Sequence, residues 1–549
     1  MENSTHSKKP VADSKNDSAN PVKNHNSANN HDSAKNHSNL TIEEFATFCK
    51  RKGFVYSSSE IYGGIAGFFD YGPYGVEVKN NIKKEWWRYH VWARNDMIGM
   101  DGSIITHPRV WVASGHVACF KDLMLVCKDE KCGNKMRADV FIEEHLNVQA
   151  DGMKADQINH LVKENDLKCN KCRSEFEEVS DFNLMFETRV GPSAKTPLIA
   201  YLRPETAQTM FADFKLVTDN ARMKLPFGIA QMGKAFRNEI SPRDFLFRCR
   251  EFEQMEIEYF IHPDHYKCPY IDEVLDYELI VYSAKMQEED ALSKKPREGQ
   301  KMTMKQALAN KIILTEWHAY WLSTEHKFFV SLGAKGDLLR VRQHLSTEKS
   351  HYALDTWDFD HKFPFGWKEL QGLANRTDFD LKAHMKESGK DLSVHDEATG
   401  KKVIPHVVCE PSLGLDRTFL VFMMDAYTYD SKRENVVLKL HPRLAAIKAA
   451  VFPLLSNREE LMTLAREVHG LLKNDMNTTF DKSGSVGRRY SRQDELGTPF
   501  CITVDFDSLE KKDVTIRDRD TAEQKRVPIT NLRNIIRALI DGEMKFEEL

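Results

Sequence analysis

Two short runs joined by a proline-containing loop constrain this chain more than any other part of its sequence. Residues from Gly228 to Glu239 and from Arg248 to Glu256 read as strands, separated by Ile240-Ser241-Pro242-Arg243-Asp244. Alternate side chains of a strand share a face. Arg237 and Glu239 therefore fall together on the first run, and Arg248, Arg250, Phe252, Gln254 and Glu256 on the second. That face carries guanidinia, carboxylates and an aromatic ring, a set that suits phosphates, an exocyclic amine and a purine. Taken alone, the same pattern also describes an exposed hairpin covered in surface ion pairs. The string Gly228-Ile229-Ala230-Gln231-Met232-Gly233-Lys234-Ala235 comes close to a phosphate-binding G-x-x-x-x-G-K-[ST] loop. Ala235 lacks the hydroxyl that would hold Mg²⁺, and the segment runs on as a strand, so no P-loop is expected. No G-x-G-x-x-G signature occurs.

A hairpin of this kind needs a larger sheet around it, and 549 residues supply two to four domains. Apolar residues at 41% and charged residues at 29% fit a globular protein. No apolar run approaches the roughly 18 residues a membrane span needs. Residues 1–39 are rich in Asn, Ser, His, Lys and Asp, too polar to offset their ordering entropy, and read as a disordered tail. Solvated spacer is preferred to metal binding for the tail histidines. The tail also lacks the apolar stretch of a secretory signal, so a cytoplasmic location is expected. A net charge of −4 argues against non-specific coating of nucleic acid. A local basic surface would still engage RNA phosphates.

A helix starts at Thr41, and a glycine- and aromatic-rich loop spans residues 61–75. Val78, Ile82, Trp86 and Tyr89 then share the face of an amphipathic helix. Residues 264–350 read as largely helical; strands return near 363–372 and 403–413, followed by a helix at 416–427. Beyond Asn435 strands and helices alternate, which predicts a separate α/β unit over 434–549. Cys127 and Cys132 are separated by four residues, and 36 residues later Cys169 and Cys172 by two. Without a secretory signal, two clustered pairs point to zinc before disulfides. Four thiolates suit a closed, structural tetrahedral site, with a degenerate or empty ribbon as the competing reading.

Strings elsewhere in the chain give the hairpin its context. Arg237-Asn238-Glu239, a loop, then Arg248-x-x-x-Phe252 resembles motif 2 of the class II aminoacyl-tRNA synthetases. Pro411-Ser412-Leu413-Gly414-Leu415-Asp416-Arg417 resembles motif 3, and residues 76–108, ending at Pro108, resemble motif 1. The class I strings H-I-G-H and K-M-S-K-S are absent. Tyr201-Leu202-Arg203-Pro204-Glu205-Thr206-Ala207-Gln208, Phe247 to Glu256, Gly366-Trp367-Lys368-Glu369-Leu370 and Cys409-Glu410-Pro411-Ser412 together are similar to the homodimeric, bacterial-type glycyl-tRNA synthetase family. The likeness spans about residues 40–549.

The resemblance implies an α+β catalytic domain over 40–433 built on an antiparallel sheet, with a zinc-ribbon-like insertion at 127–172. It implies an anticodon-binding domain over 434–549. It further implies that glycine is activated with ATP to glycyl-adenylate and then transferred to tRNA(Gly). Arg237 would contact the α-phosphate and the amino-acid carboxylate, Glu239 the adenine amine, Phe252 the purine face and Arg248 the γ-phosphate. Arg417 would close the other side of the nucleotide. Asn238, Phe247, Cys249, Arg250, Glu251, Leu370, Gly414, Leu415 and Asp416 complete the expected ATP site. Glu369 and Glu410 would hold Mg²⁺.

Glycine has about five heavy atoms, each worth at most about 1.5 kcal/mol. Its pocket must therefore exclude any Cβ while carboxylates grip the ammonium. By resemblance that pocket draws on Arg137, Glu205, Glu253, Glu256, Glu410 and Ser412, with Phe252, Gln254, Met255, Pro411, Leu413 and Gly414 around them. In the C-terminal unit, Gly487-Arg488-Arg489-Tyr490-Ser491-Arg492-Gln493-Asp494 reads as either a base-contacting string or a solvated charge run. Motif 1, with Trp87 and Trp92 exposed beyond the main apolar stripe, implies an isologous dimer. A catalytically inert synthetase-like module and a class II enzyme for another amino acid are the competing readings. The presence of Arg237, Glu239, Arg248 and Arg417 weighs against the first.

Overall fold

A computed structural model of the chain describes residues 40–549 except 147, 149, 151, 193–196, 294–296, 347, 349–352 and 398. The expected tail, 1–39, lies outside the described residues.

Nine strands form the main sheet: β1 (Met97–Met100), β2 (Phe227–Phe236), β3 (Glu251–Ile261), β4 (Glu278–Tyr282), β5 (Gln300–Thr303), β6 (Leu339–Gln343), β7 (Thr356–Phe363), β8 (Gly366–Ala374) and β9 (His406–Gly414). Their order across the sheet is β5-β4-β6-β7-β8-β9-β3-β2-β1. Only the β1–β2 and β4–β6 pairs run parallel. The string resembling a P-loop is strand β2, as expected. It pairs antiparallel with β3 from Phe227↔Phe260 to Phe236↔Glu251. Gly233 is there for space, because a Cβ at that position would overlap the Arg203 guanidinium.

One face of this sheet is closed by helices. Met255, Ile257 and Tyr259 of β3 point into an apolar core with Trp317 and Trp321 of helix α5 (Glu316–Ser331) and Phe419 and Phe422 of α7 (Leu415–Ala426). Helix α1 (Pro73–Trp87) starts with proline at its first turn and buries Val78, Ile82 and Trp86 in the same core. Trp87 is half-buried rather than exposed. Its indole lies against Gly99 of β1, where any Cβ would collide with it. The other face stays open in the middle. Short segments border it: α2 (Pro108–Ala113), α3 (His116–Cys119), α4 (Ala207–Ala212) and α6 (Phe379–Ser388).

Residues 264–350 differ from the expected largely helical stretch. They hold α5 and two shorter helices, but also β4, β5 and β6, which extend the main sheet. These strands are four or five residues long. Leu279 with Val281, Met302, and Leu339 with Val341 are their buried apolar residues, too few to outweigh the helical period of the 16-residue α5.

The cysteine-bearing stretch packs a small core of Leu125, Phe141, Ile142, Ile158 and Phe176 under the strands Lys121–Val126, Lys135–Arg137 and Ser180–Asn183. Beyond residue 440 a second sheet contains β10 (Ala449–Pro453), β11 (Thr478–Phe480), β12 (Phe500–Val504), β13 (Asp513–Asp518) and β14 (Gln524–Pro528), in the order β11-β10-β12-β13-β14. Helices α8 (Glu459–Lys473), α9 (Val486–Leu496) and α10 (Ile529–Asp541) surround it, and its core is separate from that of the main sheet. The basic string lies on α9, and much of its charge is spent internally. Arg489 is buried and donates to the carbonyls of Lys482 (3.1 Å) and Gly484 (2.7 Å). Asp494 accepts from Arg517, and Arg492 pairs with Asp481. A helical repeat turns Arg489 and Gln493 inward, which the bare charge count did not reveal. No described helix is long and apolar enough to cross a membrane.

Candidate active site

The hairpin opens onto a cavity on the free face of the sheet. Arg237, Glu239, Phe247, Arg248, Cys249, Phe252, Gln254, Glu369, Leu370, Ser412, Gly414, Asp416 and Arg417 line it, together with Leu246 and Gly372. Two guanidinia line the cavity, each braced by a ring. Arg237 lies 5.4 Å from the Phe252 centroid and donates through Nε to the Pro204 carbonyl (3.0 Å). Arg417 lies 4.4 Å from the Phe247 centroid, and its Nη1 donates to the Glu369 carbonyl at 2.8 Å. Such pre-oriented cations, in a half-enclosed site, can stabilise charge that develops on a phosphoryl group. Glu239 and Arg248 pair with each other at 2.7 Å. Both would have to turn outward to take separate parts of a nucleotide.

A second cluster lies deeper on the same face. Register puts Glu256 of β3, Ser412 of β9 and Gly372 of β8 in one row across three strands. Ser412 Oγ donates to Glu256 Oε1 at 2.6 Å, and the Thr206 hydroxyl bonds Oε2. Gln254 Nε2 donates to Ser412 Oγ at 3.3 Å, joining this cluster to the cavity. Glu205 accepts from Gln208 (3.1 Å) and lies 3.3 Å from His116 Nε2. Glu410 is held by Arg376 Nη1 at 2.9 and 3.1 Å, while the same guanidinium grips Asp380. Burial works against ionisation of Glu205, but His116, Arg376 and Arg237 outweigh it and hold the carboxyl well below the usual range. Burial pushes Glu410 the other way, up to about 8, against the pull of Arg376 and with Glu256 and Glu205 adding to the rise. The cluster is thus a tight, acid-rich pocket beside a cationic cavity. It can hold a small ammonium group whose attached carboxylate reaches Arg237.

The structure departs from several expected positions. Glu253 and Met255 alternate with the residues that face the site, so they point to the closed side. Glu253 pairs with Lys79 at 2.9 Å and with Lys83, and Met255 is in the core. Leu413 and Leu415 are core residues too, and Pro411 shares the Leu413 side of β9. Arg137 belongs to the cysteine-bearing stretch. It bonds Asp139 (3.0 Å) and lines a neighbouring cleft with Arg243 and Arg248, apart from the carboxylate pocket. Asn238, Arg250 and Glu251 brace the hairpin instead of lining the cavity. Asn238 N donates to the Leu184 carbonyl, Arg250 to the carbonyls of Glu239 and Ala66, and Glu251 accepts from Lys234. Asp416 borders the cavity but is spent on Tyr71 Oη (2.5 Å) and the Glu253 amide (2.8 Å).

Glu410 lies outside the phosphate-facing cavity with both oxygens on Arg376, so its expected Mg²⁺ role is withdrawn. Glu369, at the cavity wall and half exposed, has a carboxylate oxygen 3.5 Å from Arg417 and remains free to meet a hard cation. Sequence reasoning missed His116, Arg376 and Asp380. Thr206 and Gln208 stood in a quoted string without an assigned role.

The four clustered thiols converge. Cys127 and Cys172 sulfurs are 3.3 Å apart, Cys132 and Cys169 sulfurs 3.8 Å, and all four lie within 4.8 Å of one another. Four sulfurs at about 2.3 Å from a tetrahedral zinc would be about 3.8 Å apart, so the donor set fits that ion.

Comparison with known proteins agrees with this geometry. Residues 199–426 match the tRNA synthetase class II core domain (G, H, P, S and T), and residues 448–539 match an anticodon binding domain. The chain is 43% identical over 504 residues to a glycine–tRNA ligase of Bacillus thuringiensis subsp. konkukian, covering 90% of this chain and 98% of that one. It is 43% identical to the glycine–tRNA ligase of Caldanaerobacter subterraneus subsp. tengcongensis, covering 89% and 96%. With that of Clostridium beijerinckii it shares 41%, covering 91% and 99%. Among solved structures, a prolyl-tRNA synthetase from Cryptosporidium parvum superposes with a TM-score of 0.52 at 14% identity, over 91% of this chain and 75% of that one. That likeness concerns the fold.

Proposed function

The chain belongs to the glycine–tRNA ligase family of class II synthetases, and from that premise we propose that its two clusters divide one reaction between them. ATP lies in the cavity between Arg237 and Arg417, with Phe252 against the purine. Glycine lies in the carboxylate pocket, its ammonium among Glu205, Glu256 and Glu410 and its carboxylate toward Arg237. Attack of that carboxylate on the α-phosphorus gives glycyl-adenylate and pyrophosphate, and glycine then passes to the 3′ end of tRNA(Gly). No nucleophilic side chain is needed, because positioning and charge stabilisation suffice.

The observation that carries this reading is the row Glu256–Ser412–Gly372, which abuts the arginine-lined cavity through Gln254. Carboxylates that close on one another leave room for an ammonium and little for a side chain. Mg²⁺ belongs with Glu369 and would neutralise the phosphates, and Zn²⁺ with the four cysteines. Residues 40–433 act as the catalytic unit and 434–549 as the anticodon-binding one. Two copies assemble as a dimer in the cytoplasm.

ATP–pyrophosphate exchange with amino acids supplied singly tests the reading. Glycine is expected to drive exchange, and faster exchange with alanine or serine would overturn it.

A further inference from the structure

The proposed reading leaves one carboxyl of the glycine pocket without a part. Glu258 follows Glu256 on the same face of β3, and its side chain is fully buried. Neither of its oxygens has a hydrogen-bond partner among the described residues. One oxygen from each of Glu256, Glu258 and Glu410 lies within 4.8 Å of the others. Two residues further along the strand, Phe260 enters an apolar cluster with Phe211, Phe214, Leu381 and Val407, so this end of the pocket is dry.

The charged groups facing Glu258 are Glu256 on its own strand, Glu410 from β9, Asp380 from α6 and Arg376 from the turn after β8. Arg376, their single cation, is already engaged with both Asp380 and Glu410. Glu256 has each oxygen occupied by a hydroxyl. An ionised carboxylate with no donor, in a dry site beside other carboxylates, is far costlier than the neutral acid.

We propose that Glu258 is a neutral carboxylic acid whose hydroxyl donates to a carboxyl oxygen of Glu410, fixing the geometry of the pocket that receives the glycine ammonium. The proposal rests on the glycine pocket assigned above. Burial, reinforced by Glu410, pushes the Glu258 acid well above the usual carboxylate range, in the same direction as the geometry. Glu258 is thus a positioning residue that acts through Glu410. It is also a means of packing another acid into the pocket floor without adding a charge.

Two substitutions separate this role from its alternatives. Glu258→Gln keeps a neutral donor of the same shape, whereas Glu258→Leu keeps only bulk. In glycine-dependent pyrophosphate exchange, KM for glycine is expected to stay within about threefold for Glu258→Gln. For Glu258→Leu it should rise about tenfold or more, the scale of one lost buried hydrogen bond, with KM for ATP unchanged. Equal impairment of both variants would mean that the charged form is required. No change in either would mean that Glu258 has no part. If the leucine variant does not fold, infrared difference spectra of parent against Glu258→Gln decide the matter. A protonated carboxylic C=O band present at neutral pH only in the parent is expected, and its absence would overturn the proposal. That band reports the proton whichever amino acid the enzyme activates, so failure here is distinguishable from failure of the glycine assignment.

Discussion

Arg417 holds its guanidinium in place before any substrate arrives: the Phe247 ring lies beneath it, and the carbonyls of Phe247 and Glu369 fix its Nε and Nη1. A charge fixed in that way contributes most when the phosphates gain charge in the transition state. Arg417→Ala is expected to lower kcat/KM for glycine-dependent exchange by about 10²–10³-fold. A loss under about threefold would remove Arg417 from the reaction. At this scale the sequence was legible wherever local spacing decides orientation. Phe252, Gln254 and Glu256 share a face because a strand alternates, and the structure keeps them together. Glu253 and Met255 share the string with them, but the same alternation sends Glu253 to Lys79 and Met255 to the core. His116 and Arg376 gave no such signal. They reach the pocket from a short helix and a turn distant in sequence, and only tertiary structure brings them to Glu205 and Glu410.

At the scale of elements, long regular patterns were readable and short pieces were not. Helix α5 hid β4, β5 and β6 because strands of four or five residues give too few alternations to compete with its sixteen. The cysteine-bearing stretch shows the converse: its cysteine spacing was informative, but its small core of Leu125, Phe141 and Ile158 was not foreseen in a polar segment. That core is modest, and the four thiols that converge beside it could hold a metal that would complete the unit. Native protein is expected to carry about one zinc per chain. Cys169→Ser, or a strong chelator, should release it and open residues 127–172 to proteolysis while the main sheet stays folded. Metal-free protein in which this stretch resists protease equally well would show that its apolar core suffices alone.

For the whole molecule the telling feature is the free edge of the sheet at β1. Among the described residues its outer edge has no strand partner, and exposed edges of this kind invite pairing with another chain. Apolar surface gathers around it. Ile98, Gly99 and Met100 line a groove with Leu216, which is 64% exposed, and Trp92, just before β1, is 67% exposed. Apolar patches of this character are the kind of surface a partner chain covers. A twofold axis at β1 would cover both copies with one self-complementary surface. The same edge is tied to the site. Trp87 packs on Gly99, α1 sends Lys79 and Lys83 to Glu253, and the Glu253 amide bonds Asp416, the neighbour of Arg417. Sedimentation at low micromolar concentration is therefore expected to give twice the 63.3 kDa chain mass. Trp92→Glu combined with Leu216→Glu, which alters exposed positions only, should shift the protein to monomer and lower exchange activity through loosening of α1 and β3. A parent that sediments as a monomer would refute the dimer. A variant that becomes monomeric at full activity would keep the interface and remove its link to the site.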